Sequence, residues 1–158
     1  MTWHEELDRQ ALRRALSRLI ARHEVLRTRF SEVAGRPWQR VGEPWEIDLE
    51  FHDAGDAAPG AGRALDAAIR RVAAEPLDLD NGRLVRAHLI SDPHGPGAGR
   101  GVTARGALVL VFHQIACDAW TLSILLRELG IFYQAETDST FALSGPGEFA
   151  RASAAAHS

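Results

Sequence analysis

The sequence predicts an α+β domain, a mixed and mostly antiparallel sheet with helices packed on one face. Three observations carry that reading. Apolar residues recur at helical spacing in three separate stretches. Between them lie short runs that alternate apolar and polar residues, several joined by brief turns that favour antiparallel pairing. Later in the chain, the unbroken apolar run Leu108-Val109-Leu110-Val111-Phe112 has the pattern of a strand buried on both faces.

The first helix opens at Asp8, a plausible N-cap, and carries Ala11, Leu12, Ala15, Leu16, Leu19 and Ile20 on one side. Arg9, Arg13, Arg14 and Arg18 fall mostly on the other side and read as a solvated face. The helix ends near residues 22–24. Residues 25–30 read as a strand, residues 34–36 as a turn and residues 37–41 as a second strand. In residues 45–51, Trp45, Ile47, Leu49 and Phe51 point one way and Glu46, Asp48 and Glu50 the other, as in a half-exposed strand. Residues 53–62 form a linker of Gly, Ala, Pro and Asp. Leu65, Ala68, Ile69 and Val72 then mark a second helix, stopped before Pro76. Asn81-Gly82 signals a turn, and residues 84–90 alternate as a strand. Residues 91–106 hold five Gly and two Pro and read as a mobile surface loop. After the apolar strand, Trp120-Thr121 opens a third helix whose stripe of Leu122, Leu125, Leu126, Leu129, Phe132 and Tyr133 reads as core. Beyond Glu136 the pattern fades, and residues 151–158 read as a fraying end or part of something cut short.

Composition bounds the function without naming it. The chain has 158 residues, enough for one core, and a net charge of -3 that gives no footprint for nucleic acid. Its 18 basic residues are all Arg, which with the Ala and Gly content reflects coding bias more than function. One Cys excludes an internal disulfide and fits a reducing compartment. No apolar run is long enough to cross a bilayer and the N-terminus lacks signal-peptide features, so a cytoplasmic location is expected.

The stretch that departs from the generic is His113-Gln114-Ile115-Ala116-Cys117-Asp118-Ala119-Trp120-Thr121. Strand, polar turn and helix in that order place side chains at the mouth of a sheet. A His beside a buried strand is usually a hydrogen-bonded core residue, and that is the reading for His113. Cys117 has no identifiable oriented base and does not read as a nucleophile. Neither His113 with Asp118 nor His88 with His94 has metal-ligand spacing, so no metal is expected. The glycines at 95, 97, 99 and 101 lack a following Lys-Ser/Thr and do not make a phosphate loop. Arg22, His23, Glu24 and Arg27 read as a local ion-pair network that braces the strand near the turn.

These residues also carry a family resemblance. Residues 22–30, Arg22-His23-Glu24-Val25-Leu26-Arg27-Thr28-Arg29-Phe30, resemble the RHExLRTxF motif of the condensation domains of nonribosomal peptide synthetases. Pro76-Leu77-Asp78-Leu79 with Gly82 and Leu84-Val85-Arg86 is similar to the segment that follows in those domains. Residues 113–121 stand where the family carries HHxxxDGxS. Glu148-Phe149-Ala150 faintly resembles a later YxDFAxW motif, with Pro146 and Ala152 at the Tyr and Trp positions. The resemblance implies a chloramphenicol acetyltransferase-like fold, in which two lobes enclose a tunnel. Peptidyl or acyl carrier proteins deliver donor and acceptor on phosphopantetheine arms, and the acceptor amine attacks the donor thioester to form an amide. No cofactor is implied beyond that arm. Residues 1–158 resemble only the N-terminal lobe, without the opening SxAQxRLW-type segment or the second lobe. Adjacent synthetase domains or a separate second lobe are then expected as partners.

Within the resemblance, His113 matches the first His of the motif, usually structural. Gln114 stands at the second, held to be the catalytic position. Asp118 matches the Asp that fixes the turn through an Arg salt bridge, for which Arg27 or an Arg of the absent lobe is available. Ala119 replaces the Gly, where a methyl would obstruct a left-handed backbone or the pantetheine passage; Trp120 begins the supporting helix. Two readings follow: a condensation lobe impaired by Gln114, or a non-catalytic module that docks a carrier protein or a neighbouring synthetase domain. The lobe alone is expected to form no amide.

Overall fold

The computed structural model describes residues 2–3, 7–54, 61–79, 81–92 and 105–138. Asp8 caps the first helix, α1 (Arg9–Arg22), by accepting the Gln10 and Ala11 N–H groups at 2.9 Å each. The six apolar residues named from spacing are all buried. They pack against the third helix, α3 (Ala119–Thr137), through Leu125, Leu129 and Phe132. Arg14 and Arg18 both reach Glu136 across this seam, at 2.6 and 2.9 Å. Exposed pairs of that kind contribute about 0.2–1 kcal/mol each, against about 1.5–3 for each fully buried Leu. Apolar packing therefore joins the helices, and the arginines finish its rim.

Residues 25–30 do not form one strand. Glu24–Arg27 make a 3₁₀ turn, and the strand β2 (Thr28–Val33) starts after it. The turn forms because Leu26 donates its N–H to the His23 carbonyl and the Thr28 hydroxyl donates to the Glu24 carbonyl. With Leu26 fully buried and Val25 packed beside it, two adjacent side chains face the core, which a strand cannot do. β2 pairs antiparallel with β3 (Arg36–Val41) as a separate two-stranded ribbon. The two loop residues, Ala34 and Gly35, have φ of 52° and 75°, the type I′ arrangement that matches strand twist.

The main sheet has β1 (Thr2–Trp3), β4 (Leu49–Asp53), β5 (Val85–Asp92) and β6 (Arg105–Phe112) in the order β1-β6-β5-β4. β6 pairs antiparallel with β1 and β5, and β4 pairs parallel with β5. The second helix, α2 (Ala61–Ala74), lies between β4 and β5 in the chain and supplies the crossover that parallel pairing requires. The alternation holds from Trp45 to Leu49, with Ile47 buried and Trp45 and Leu49 packed on the core, but Phe51 is exposed beneath the Arg9 guanidinium. Only the part from Leu49 onward has a strand partner, with Leu49 opposite Ala87.

The α+β class and the antiparallel majority hold, but the helices do not share one face. Val85, Ala87 and Leu89 face α1 and α3, whereas Ile90 packs with Ala64, Ala68 and Val72 of α2 on the other side. β5 is buried on both faces and so needs cover on both. The apolar stripe of α3 is likewise only partly core: Leu122 and Leu126 are exposed, while Glu128 is buried. Of the loop at 91–106, Ser91, Asp92, Arg105 and Gly106 belong to the β5–β6 ladder. Residues 93–104, most of the 53–62 linker and the end at 151–158 lie outside the described residues, as do Glu148-Phe149-Ala150.

A non-glycine residue at left-handed φ in the β2–β3 loop is strained, and Asn tolerates that conformation better than Ala. Ala34→Asn is expected to raise the unfolding free energy by about 0.5–1 kcal/mol, measured by urea denaturation with an unchanged slope.

The polar turn between strand and helix

The turn begins where β6 ends. The His113 N–H donates to the Leu84 carbonyl at 3.0 Å, tying the turn to the start of β5. Ala116 then donates to the His113 carbonyl at 2.9 Å, and the buried Ala116 side chain anchors the turn in the core. His113 accepts the Ile115 N–H at Nδ1, 3.2 Å away, which leaves the imidazole proton on Nε2 in the neutral ring. Its ring is thus held against its own turn, half-buried and outside the core that the sequence predicts for it.

Asp118 caps α3. Its Oδ1 accepts the Thr121 N–H at 2.7 Å, and bonds from the Thr121 backbone and side chain hold its carboxyl below the usual carboxylate range. Arg27 is not its partner. The Arg27 guanidinium donates to the Gly42 carbonyl at 2.6 Å and pairs with Glu24 at 3.5 Å. The turn's geometry therefore comes from a cap and not from that salt bridge. Ala119 is the first residue of α3, and Ala34 is the only non-glycine residue at positive φ among the described residues. The backbone objection to Ala119 falls away, because a helix start needs no glycine. Gln114 is exposed, and Trp120 is 77% exposed at the head of α3. Cys117 is half-buried; burial and then the Asp118 charge push its thiol up, which keeps it protonated and poorly nucleophilic near neutrality.

A sequence model of the condensation domain matches residues 1–149. Chondramide synthase cmdD of Chondromyces crocatus is 36% identical over 130 residues, covering 82% of this chain and 3% of that synthase. Phosphinothricin tripeptide synthetase PhsB of Streptomyces viridochromogenes is 37% identical over 140 residues, covering 85% of this chain and 11% of the synthetase. Among solved structures, SgcC5 of Streptomyces globisporus superposes with a TM-score of 0.70 and 26% identity, over 98% of this chain and 34% of that one. This chain belongs to the condensation-domain family. It spans a small fraction of the relatives' length and about a third of the solved domain.

The condensation-domain residues fall into two groups. His113, Gln114, Asp118, Ala119 and Trp120 come together at the turn, while Arg22 and His23 sit at the far end of α1. The latter two do not form a network with Arg27. Both reach Glu128 of α3, which is 5% exposed: His23 Nε2 lies 2.5 Å from its Oε2 and Arg22 Nε 3.2 Å. Glu128 is the residue that motif reading misses. Its signal is present in the spacing, since Leu125, Glu128, Leu129 and Phe132 share one helix face and a carboxylate on that face requires a partner.

His88 lies among residues of β4 and β5, and His94, whose spacing from it does not suit a metal pair, lies outside the described residues. Fully buried, His88 has His52 Nε2 at 3.1 Å and a Glu50 carboxylate oxygen at 3.3 Å from its Nδ1. Three such donors resemble a metal set. However, Arg86 Nε–H donates into His88 Nε2 at 3.1 Å, which places the imidazole proton on Nδ1, where a cation would sit. Metal-bound histidines show the reverse, donating from the free nitrogen to an acceptor. The cluster as arranged suits a hydrogen-bonded neutral His.

Removing Glu128 leaves His23 and Arg22 beside an empty buried site. Glu128→Ala is expected to cost about 2–3 kcal/mol by chemical denaturation, whereas Arg22→Gln, at a partly exposed partner, costs under about 1. Burial, with Arg86 and His52 adding to it against the opposing Glu50 and Glu75, lowers the His88 pKa below 6.5. The unfolded chain then binds the extra proton first. Stability is expected to fall as pH drops below about 6.5 toward the folded-state value, and His88→Gln should flatten that dependence in pH-resolved melts.

Proposed function

We propose that this chain is the N-terminal lobe of an amide-forming condensation domain whose chemistry is impaired at position 114. The carrying observation is Gln114, which follows His113, lies four residues before the helix-capping Asp118 and is exposed at the strand–helix turn. In the reaction implied by the family resemblance, a carrier-bound amine attacks a carrier-bound acyl thioester. The C–N bond forms, the C–S bond breaks, the thiol leaves on its phosphopantetheine arm, and the amine loses a proton. An imidazole at position 114 would take up or position that proton. A carboxamide has no pKa near neutrality, so it cannot act as the general base. It retains an oxygen that accepts an N–H bond from the amine and an NH₂ that donates to a carbonyl. Where the position serves mainly as a base the loss is about 10² to 10⁴ in rate, and where it mainly orients the amine part of the activity survives.

His113 and Asp118 act as positioning residues in this reading, since His113 Nδ1 and Asp118 Oδ1 each accept a backbone N–H of the turn and helix start. Arg22 and His23 support it at a distance by fixing α3 through Glu128. Carrier proteins are the partners, the phosphopantetheine arm is the substrate carrier, and a second lobe supplies the other tunnel wall.

The absence of an ionisable group at position 114 also supports a second reading, a non-catalytic module that docks a carrier protein or an adjacent synthetase domain. One experiment separates the two. In a two-lobed protein supplied with loaded donor and acceptor carriers, Gln114→His is expected to raise turnover by about 10² or more, with no amide from the lobe alone. Unchanged turnover in Gln114→His, combined with measurable carrier affinity, would establish the docking module instead.

A further inference from the structure

The β2–β3 ribbon holds a feature that the turn does not use. Its register sets Arg29 directly opposite Arg40, so the two side chains emerge from the same face as nearest cross-strand neighbours. Like charges in that position repel, and neither guanidinium has an ion pair or side-chain hydrogen bond among the described residues. Both line a 360 Å³ groove whose far wall carries Arg83 and Asn81. Arg83 is only loosely engaged, with an Asp48 carboxylate oxygen at 3.9 Å and the Trp45 ring at 5.2 Å, and it is exposed. Among the described residues Glu43 is the one carboxylate in the lining, and with Asp48 on Arg83 it sets two acids against three guanidiniums.

The backbone is shaped to permit this convergence. Gly82 has φ of +65°, and a Cβ built on it would stand 2.5 Å from Arg29 Cγ and 3.3 Å from the Arg29 backbone nitrogen. The absence of a side chain at position 82 lets the Arg29 stem lie across the turn, beside the groove that Arg40 and Arg83 also line. The groove is local, because the chain as a whole carries a net charge of -3.

We propose that this groove binds a phosphate dianion, either free or as the terminal group of a phosphate monoester. Guanidinium forks match phosphate oxygens in bidentate geometry, and three guanidiniums draw a dianion more strongly than a monoanion. Bound phosphate would relieve the Arg29–Arg40 repulsion by sitting between them. The inference does not depend on the role assigned to Gln114.

The test is calorimetric titration of the 158-residue chain at low ionic strength and about pH 8, where the phosphate dianion dominates. The probes are inorganic phosphate, phenyl phosphate and malonate. Saturable phosphate binding at about 1 mM or tighter is expected, weakened about tenfold by Arg29→Gln and by Arg40→Gln. Equal affinity for the two phosphates identifies a free-anion site, and tighter phenyl phosphate binding identifies an ester terminus. Malonate binding as tightly as phosphate, no saturation, or binding unchanged in both variants would overturn the proposal. Thermal melts in phosphate-free buffer provide a second check. Arg40→Gln should melt at or above the parent temperature because a repulsion is removed, and a clear drop would show that Arg40 is already engaged within the fold.

Discussion

A single carboxylate buried in the seam between α1 and α3 fixes where the polar turn can be. Glu128 is enclosed by apolar neighbours and reached from the end of α1 by His23 and Arg22. Leucines alone would hold the two helices together in several registers at similar energy. A buried carboxylate is satisfied only where its donors are, so it selects one register, and its contribution is to position as much as to net stability. Asp118 then fixes the other end of α3 by capping it ten residues earlier. With both acids engaged, the residues from His113 to Ala119 have little freedom left.

The remaining architecture follows from the need to cover β5 on both faces. Val85, Ala87 and Leu89 require α1 and α3, and Ile90 requires α2. That second requirement places a helix between β4 and β5, makes their pairing parallel and brings Glu50, His52 and His88 together at the sheet edge. A neutral histidine buried there, with Arg86 donating to one of its nitrogens, is a consequence of topology. The crossover sets the register, and the register chooses the neighbours.

Residues with one dominant environment were legible from the chain alone. Asp8, the α1 stripe, Pro37 to Val41, the end of α2 and the strand–turn–helix order at 108–121 all stand as expected, although Val109 to Phe112 are half-buried and not enclosed on both faces. The departures occur where tertiary contacts override local pattern. Val25 and Leu26 look like strand residues until His23 and Thr28 close a turn around them. Residues 84–90 alternate in polarity, yet both of their faces are buried, because His88 and Arg86 find partners under α2. The placement of α2 could not be read from periodicity, which gives the face of each helix and not the side of the sheet it meets. Similarly, Arg22 and His23 were recognisable as a motif, but their partner lies 106 and 105 residues away on a helix whose stripe looked wholly apolar.

The fold leaves position 114 free to vary. The turn is held by the His113 backbone and ring, by the buried Ala116 and by the Asp118 cap, and each of these bonds is made without the side chain between them. Gln114 itself is exposed, and exposed side chains away from caps and cores change stability by about 0.5 kcal/mol or less. An imidazole and a carboxamide there would meet the same scaffold. A substitution at position 114 would therefore leave the strand, the cap and the helix unchanged. The fold that presents position 114 does not itself constrain the residue there.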